Sequence, residues 1–487
     1  MSFKVLLLGS MMSLPTINVF AQGIILNHAD LRTDLNWLNQ QGVINLSTST
    51  WPMSQDEIQR ALSDAKATDI GQQRMLELIT KQLSRENTTT KLSFFMESDQ
   101  KKLPQQFADA QKAQYQASFE LNAGGETWDA KLRVQAEKDL QIDHDKNWNI
   151  EGSYIAKKIW NQWLIAGQIP SYWGPGHDGS LIRGDTSRPV YGFTAQRASQ
   201  KPFETKWLSW LGSWQYQFFA GRLDNYEAVP EANLMGIRLT AQPWSHWDIG
   251  ISRTFQIDGE GQPDSFKAYW NAFVGKDNAC NDAGCQGEEN ASNQLAGVDI
   301  RLNLKKLIDV PMSVYGQYVG EDEAGYLPSK KLYLAGLDYS SSISRMPVQF
   351  YTEWADTRTN GKVRGISYNH HNYTDGYYQH GFSLGHGVGG DAQMISLGGN
   401  LIIDKMNRLN GRIISAKVNQ SLDAFKNNSA FGYDDSIQAL DLTWSHTLSN
   451  DVVFKVNGWL SDSENDGKDS GVALLVELPL DKAMFKY

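Results

Sequence analysis

Two hydrophobic patterns divide this chain of 487 residues near residue 90. Before that point, apolar residues recur three or four positions apart in three stretches, 31–38, 58–65 and 75–83, which is the spacing of one face of an α-helix. A capping box, Ser54-Gln55-Asp56-Glu57, opens the second stretch. The segment 22–90 is therefore predicted to be a small bundle of three helices.

From Lys91 onward the hydrophobic period changes to two, as in residues 127–137, where apolar side chains alternate with charged and amide side chains. Such alternation is typical of a strand with one apolar and one polar face. A soluble β-sandwich turns the apolar face inward, whereas a membrane barrel turns it outward, so the period alone leaves both open. The N-terminal export signal and the lengths of the loops favour the barrel.

Because bacterial single-chain barrels have an even number of strands, one of nineteen candidate strands, 189–198, is assigned to the long loop around it. Eighteen antiparallel strands then remain in 91–487, with short turns on one side and three long loops, 169–203, 256–293 and 356–391, on the other. We expect an all-β transmembrane barrel with its short turns and helical bundle in the periplasm. The eighteen segments retained are 91–98, 114–122, 127–137, 148–158, 161–168, 204–211, 214–222, 232–242, 245–255, 294–303, 312–320, 331–340, 347–355, 392–404, 408–418, 436–446, 451–460 and 471–480.

The first residues have the form of an export signal. Lys4 precedes the apolar run 5–20, and Ala21 supplies the small residue required for cleavage. No later run of about 18 apolar residues could form a membrane-spanning helix. We therefore expect a signal peptide over 1–21 and a mature protein in the cell outer membrane.

Composition supports this assignment and narrows the partners. The chain has 42 glycines, 16 tryptophans and 19 tyrosines, a content of turn formers and interfacial rings that suits an outer-membrane strand protein. The net charge of −10 comes without a basic stripe, so nucleic acid is not an expected partner. Cys280 and Cys285 are predicted to form a small disulfide after export, and the absence of histidine nearby argues against a metal there.

Two loop stretches, 160–198 and 356–391, combine aromatic rings, arginines and carboxylates. This mixture suits a polyhydroxylated ligand, although the same side chains could simply tie down long loops. Arg183, Arg188 and Arg364 could also pair with carboxylates of an acidic polymer. The candidate binding residues are Tyr172, Trp173, His177, Asp178, Arg183, Arg188, Tyr191, Glu321, Asp322, Tyr326, Arg364, His370, His371, Tyr373, Asp375, Tyr377 and Tyr378.

The sequence contains no signature that commits the chain to catalysis. Glu321 and Asp322 are adjacent and would point to opposite faces of an extended segment, so they do not form the opposed pair that glycoside hydrolysis requires. The stretch 461–467 resembles the start of a calcium loop, but Ala473 stands where a bidentate glutamate is needed. His370 and His371 lack the context of a metal site and are expected to donate hydrogen bonds. We expect a non-enzymatic protein without a cofactor.

Four long stretches resemble the capsule assembly Wzi family of outer-membrane proteins: LRTDLNWLNQQGVINLSTSTWPMSQDEI at 31–58, NQWLIAGQIPSYWGPGHDGSLIRGD at 161–185, GEDEAGYLPS at 320–329 and HHNYTDGYYQHGFSLG at 370–385. The resemblance implies an eighteen-stranded barrel with a periplasmic helical bundle. The loops 276–293 and 419–435 depart from the family pattern and are expected to set which polymer is bound.

What the resemblance implies for function is the binding and retention of capsular polysaccharide at the cell surface, with assistance to capsule assembly. The expected partners are that polymer, outer-membrane lipid and the capsule export machinery, and the expected state is a monomer. Two alternatives remain open. A sugar-selective porin would use polar lumen residues such as Asp129, Lys131 and Arg238, and an outer-membrane hydrolase would degrade the polymer.

Overall fold

The computed structural model describes residues 23–109, 111–142, 146–274, 291–324, 327–421 and 428–483. The predicted signal peptide, the predicted Cys280–Cys285 pair and Tyr326 lie outside the described residues, as does the side chain of Asp322.

In the described part of the chain, eighteen antiparallel strands form one closed barrel, and the first strand pairs with the last. The fourth strand consists of two short segments that both pair with the third. The strands β1 to β18 are Thr90–Glu97, Ala113–Gly125, Trp128–Leu140, Trp148–Asn149 with Tyr154–Ile159, Gln162–Gln168, Tyr191–Arg197, Ser213–Arg222, Asn233–Gln242, Trp247–Ile257, Ser292–Asn303, Met312–Ala324, Leu327–Ile343, Met346–Asp356, Gln393–Ile402, Asn407–Val418, Asp435–Thr447, Val453–Ser463 and Gly467–Pro479.

The predicted strand number is confirmed, but one of the eighteen predicted segments is wrong. Residues 204–211, retained as a strand, form turns and the 3₁₀ helix Ser209–Leu211. The segment assigned to a loop instead contains β6, which pairs with β5 and β7 along its whole length. Both choices give an even number of strands, so parity could not separate them. The alternation of outward Phe193 with inward Thr194 marks the true strand.

The burial of side chains decides between a soluble sandwich and a membrane barrel. On β3, the polar side chains of Asp129 and Lys131 are 1 % and 6 % exposed, whereas Leu132 and Val134 are 48 % and 41 % exposed. The apolar face therefore points outward and the polar face into the lumen, as in an outer-membrane barrel.

Three helices precede the barrel, as predicted. The second helix begins at the predicted position, but the predicted capping box is wrong. The Ser54 side chain makes no capping hydrogen bond, and Glu57 accepts from Arg60 at 2.9 Å. No helix among the described residues is long and apolar enough to cross a bilayer. The helices α1 to α6 are Ala29–Gln40, Gln55–Ser63, Ile70–Glu86, Phe266–Val274, Lys305–Ile308 and Leu480–Ala483, and two more 3₁₀ turns are Thr359–Gly361 and Ser429–Phe431.

The connections alternate between the two ends of the barrel. The helical domain leads directly into β1 at the end with the short turns, which we call the periplasmic end because the sequence predicts these turns there. The long connections 169–190, 258–291 and 357–392 lie at the opposite end, which we call the outer end. Not every outer connection is long. The β17–β18 turn spans only 464–466, and Glu321, predicted to lie in a loop, belongs to β11.

Candidate functional site

The helical domain occupies the periplasmic part of the lumen and does not hang below it. The Trp37 indole donates to the carbonyls of Ser341 and Val348, each at 3.1 Å. Asp34 of α1 accepts from Arg408 of β15 at 2.5 Å. Because these partners belong to β12, β13 and β15, the domain is bonded to several strands of the wall. A cavity of about 360 Å³ remains between the domain and strands β1 to β3 and β15 to β18.

The loop 169–190 reaches down from the outer end and meets the helical domain. Tyr172 and Trp173 form a short antiparallel pairing with Trp51 and Thr50. The amide of Gly174 donates to the carbonyl of Ser49 at 2.8 Å. An outer loop and the N-terminal domain thus share backbone hydrogen bonds inside the barrel.

Arg32 lies at the centre of this junction. Its guanidinium donates to the carbonyls of Gly176 at 2.7 Å and Gly174 at 3.0 Å. The same group lies 4.5 Å from the ring centre of Phe107 and 4.8 Å from that of Tyr172. A planar cation that both donates and stacks is well suited to joining loops to a helix.

The loop 357–392 is also folded into the outer half of the lumen. Tyr377 is fully buried and its hydroxyl donates to the carbonyl of Ile182 at 2.9 Å. The Tyr373 hydroxyl donates to the carbonyl of Asp258 at 3.2 Å, and the Tyr378 hydroxyl accepts from the amide of Gly390 at 2.8 Å. These tyrosines form an apolar core with their hydroxyls satisfied by backbone groups.

The charged candidates of loop 169–190 are paired with the barrel wall. Arg188 donates to Glu137 at 2.7 Å and also to Glu151. Asp178 accepts from Arg412 at 3.0 Å. Two further candidates lie in the same interior. The His177 ring lies 3.0 Å from Asp338, and burial lowers the pKa of His177. The Arg183 guanidinium lies over the ring of Phe219.

Most candidate residues lie inside the barrel and not on its surface. Their contacts fit the alternative that these residues tie down the loops, and their role in ligand binding stays a prediction. Glu321 is likewise buried and accepts from the amide of Tyr368, and half-buried Asp375 accepts from the amide of Ala228. The enclosed candidates are Tyr172, Trp173, His177, Asp178, Arg183, Arg188, Glu321, His370, Tyr373, Tyr377 and Tyr378.

Three candidates remain exposed, in two different places. Arg364 and His371 lie at the outer surface of loop 357–392. Tyr191 is 63 % exposed but begins β6 on its outward face, next to Phe193, which is the position of an interfacial aromatic residue. The rings of His370 and His371 are tilted by 32° to each other, with 4.3 Å between ring centres. No group of three or more metal-ligating side chains occurs among the described residues.

The structure assembles a different surface feature, which we call the rim cleft. It is a cavity of about 450 Å³ at the outer end, between the start of the first outer loop, the end of loop 419–434 and the β17–β18 hairpin. This volume lies within the usual range for small-ligand pockets. Its floor contains buried Leu103, Phe382 and Phe431, and its rim contains exposed Lys102 and Tyr433.

Tyr433 is held at the edge of the rim cleft by its hydroxyl. It is 48 % exposed, and its hydroxyl donates to Asp466 at 2.7 Å. This bond raises the pKa of Tyr433 to about 12 and lowers the pKa of Asp466. Lys102 donates to the same carboxylate at 3.4 Å. The ring is thus oriented by a carboxylate that stays ionised at neutral pH, beside a lysine.

The rim cleft carries charges of both signs, with three lysines against four aspartates. The predicted arginine clamp for acidic polymers is not present there, since Arg183 and Arg188 are buried. An aromatic ring, ammonium groups, carboxylates and amides side by side can bind hydroxyl groups in either hydrogen-bonding sense. The cleft lining consists of residues 99–103, 105, 141, 186, 382, 387, 418, 430–433, 435, 437, 461, 463, 466–469.

Comparison with known proteins now identifies the family. The profile of the capsule assembly protein Wzi matches residues 96–473. This chain belongs to the Wzi family. A Klebsiella pneumoniae protein, known as an uncharacterized 55.8 kDa protein in the cps region, is 40 % identical over 461 residues, covering 94 % of this chain and 90 % of the relative.

A solved structure from the Wzi family has the same fold. Wzi of Escherichia coli, described as an outer membrane protein involved in group 1 capsule assembly and a carbohydrate binding β-barrel, superposes with a TM-score of 0.86 at 39 % identity. The match covers 94 % of this chain and 99 % of the other. The chain is therefore an outer-membrane β-barrel of this family, as the sequence predicted.

The rim cleft shows what the sequence analysis missed. Tyr433 was overlooked because it is a lone tyrosine, without the ring and arginine clusters of the longer loops. One feature of the sequence did point to this region: residues 419–435 depart from the Wzi family pattern. The end of that stretch lines the cleft. The hairpin that carries Asp466 attracted notice in the sequence only as an incomplete calcium loop.

Proposed function

We propose that this chain binds capsular polysaccharide at its outer face and retains it at the cell surface without chemical turnover. The observation that carries this proposal is the rim cleft, in which Tyr433, Lys102 and Asp466 present a ring and charges to the outside. The description of Escherichia coli Wzi as a carbohydrate-binding barrel supports the same ligand class.

Retention would arise from many weak contacts along a repeating polymer. The C–H face of a sugar can lie on the ring of Tyr433 while its hydroxyls pair with Asp466 and Lys102. One such hydrogen bond contributes about 1 kcal/mol, or roughly a fivefold change in Kd. A polymer that spans several proteins gains further from effective concentration, so a small loss per site becomes a large loss of retention.

The test compares two exposed tyrosines near the outer end of the barrel. Tyr433→Ala should weaken binding of the host capsular polysaccharide to purified protein roughly fivefold, and should move polymer from the cell to the medium in the capsulated host. Tyr191→Ala, which removes a ring from the outward face of β6, is the matched control and should retain polymer. Assembly of both variants is checked by heat-modifiable gel mobility.

Wild-type retention by a correctly assembled Tyr433→Ala variant would argue against the rim cleft. The two alternative functions have separate readouts. A sugar-selective porin would show steady conductance in a planar bilayer, and a hydrolase would shorten the polymer during incubation with purified protein.

A further inference from the structure

Helix α4 lies on the outside of the barrel wall. Ala272 packs with Phe255 and Ile257 of β9, which are only 2 % and 0 % exposed. Both are outward positions, because the alternating residues Thr254 and Gln256 face the lumen. The helix therefore covers the apolar outer face of the strand near its outer end.

Polar contacts fix the helix in this place. The hydroxyl of Tyr269 donates to Asp258, just after β9, at 2.7 Å, and accepts from Asn233, the first residue of β8, at 3.2 Å. At the start of the helix, the hydroxyl of Ser265 accepts from the amide of Ala268 at 3.0 Å. The helix is thus anchored to two adjacent strands at the outer rim.

The face of α4 turned away from the barrel is aromatic and exposed. Phe266, Trp270 and Phe273 are 84 %, 53 % and 41 % exposed. At about 100° per residue, these three positions fall within an arc of roughly 60°. Lys267 and Asn271 occupy a separate arc, so the helix has a wall-facing side, an aromatic side and a polar side.

The position of this aromatic side indicates what covers it. Below the helix, on the same strands, Leu239 and Ile251 are 48 % and 58 % exposed on the lipid-facing surface of the barrel. Around the barrel, Trp148 and Tyr191 are outward aromatics at the outer ends of β4 and β6, where barrels carry an interfacial girdle. Strand register places Tyr191 in the same row as Ile257, on which α4 packs, so the helix lies at the level of this belt.

We propose that α4 is an interfacial anchor whose aromatic side inserts among the lipids of the outer leaflet, at the boundary between acyl chains and headgroups. Short amphipathic helices with an aromatic apolar side and a basic polar side lie in this layer. The anchor would fix the height of the barrel rim, and with it the rim cleft, relative to the membrane surface. It does not depend on the proposed polysaccharide function.

The test places a fluorescent NBD group at Trp270→Cys in a Cys280→Ser/Cys285→Ser background, with the protein reconstituted in phosphatidylcholine–phosphatidylglycerol vesicles. Ile251→Cys is the lipid-facing control and Lys362→Cys, on an exposed outer loop, is the water-facing control. Phe266→Cys repeats the measurement at a second position of the same side.

The expected result is quenching of the probe at 270 by lipids that carry a doxyl group at carbon 5, to at least half the extent seen at 251, with weaker quenching from carbon 12. Iodide should quench the probe at 362 several-fold more than the probe at 270. Iodide access at 270 equal to that at 362 would overturn the proposal. Protection from both quenchers would also overturn it, because a second protein chain would then cover the helix.

Discussion

Arg412 illustrates how single residues hold the interior of this barrel together. Its guanidinium contacts Asp178 of the loop 169–190 at 3.0 Å, Asp441 of β16 at 3.2 Å and the carbonyl of Pro104 in the first outer loop at 2.7 Å. A buried charge is costly unless it is paired and hydrogen-bonded, and this one has three partners from three segments. One side chain therefore fixes two loops against the wall.

Because Trp173 is buried, its substitution tests folding and not ligand binding. Trp173 is fully buried, and its indole donates to Gln217 at 2.5 Å. Truncating a buried tryptophan to alanine typically costs about 3–5 kcal/mol. Trp173→Ala would report on the folding of the loop and not on ligand contact.

The free energy of unfolding should depend on pH through the buried side chain of His386. The imidazole is fully buried, its Nδ1 accepts from the amide of Val388 at 3.3 Å, and burial lowers its pKa to about 4, against the favourable charge of Asp178. The unfolded chain binds a proton near pH 6.5, whereas the folded chain does so only near pH 4. The stability contributed by neutral His386 is thus complete above pH 6.5 and is lost as the pH falls toward 4.

We predict that the free energy of unfolding in detergent micelles falls by about 2 kcal/mol more in the wild type than in His386→Asn when the pH is lowered from 8 to 5. Asparagine keeps an acceptor for the amide of Val388 but does not titrate. Urea unfolding curves at the two pH values give the comparison. Equal losses in the two proteins would show that His386 is not the buried neutral group described here.

At the scale of elements, the sequence analysis assigned β6 to a loop and the connection after it to a strand. Proline substitutions can show which of the two segments is the strand. Ala195 lies in the middle of β6 and is paired on both sides, with Leu164 and Phe218. Lys206 is exposed at the second position of a turn closed by the bond from the Leu208 amide to the Thr205 carbonyl at 3.0 Å, a position that favours proline.

We therefore expect Ala195→Pro to prevent barrel assembly, because proline removes a ladder hydrogen bond from a central strand. Lys206→Pro should assemble normally. Heat-modifiable gel mobility of the two variants in isolated outer membranes provides the measurement. The opposite outcome would restore 204–211 as the strand.

At the scale of the whole molecule, the two ends of the barrel are joined through the lumen. Arg32 belongs to α1, yet its two carbonyl partners belong to an outer loop. The N-terminal domain and that loop therefore stabilise each other across the interior. A change at either end is transmitted through hydrogen bonds and not through the strands alone.

Loss of this link should open the outer loop without unfolding the barrel. Arg32→Lys keeps the charge but not the planar fork, so it can donate to only one of the two carbonyls. Losing one charged hydrogen bond worth about 1.5–3 kcal/mol should raise the population of the open loop roughly ten- to a hundredfold. Trypsin cleavage after Arg183, which is 2 % exposed in the closed loop and is followed by Gly184, reports that opening.

The matched control for this prediction is Arg74→Lys, since Arg74 makes a single exposed bond to the carbonyl of Arg345 at 3.1 Å. Its cleavage rate should equal that of the wild type. If Arg32→Lys were equally resistant, the junction would contribute nothing to loop closure.

The sequence by itself determined the barrel. Alternation with period two defines each strand locally, because neighbouring side chains must point to opposite faces, and helical spacing before residue 90 defines the N-terminal domain in the same way. The choice between 189–198 and 204–211 failed because Trp207 and Trp210 look like strand residues, whereas the structure leaves them 73 % and 64 % exposed outside the barrel.

Only the tertiary structure decided where the loops go. Whether Trp173 or Tyr377 faces a ligand or a core depends on contacts with residues far away in the chain, such as Gln217 and Thr254, and no local pattern encodes them. The rim cleft likewise combines segments near 100, 430 and 465 that meet only when the first and last strands pair. Strand periodicity follows from the backbone of each segment, but a site built from distant loops exists only after the barrel closes.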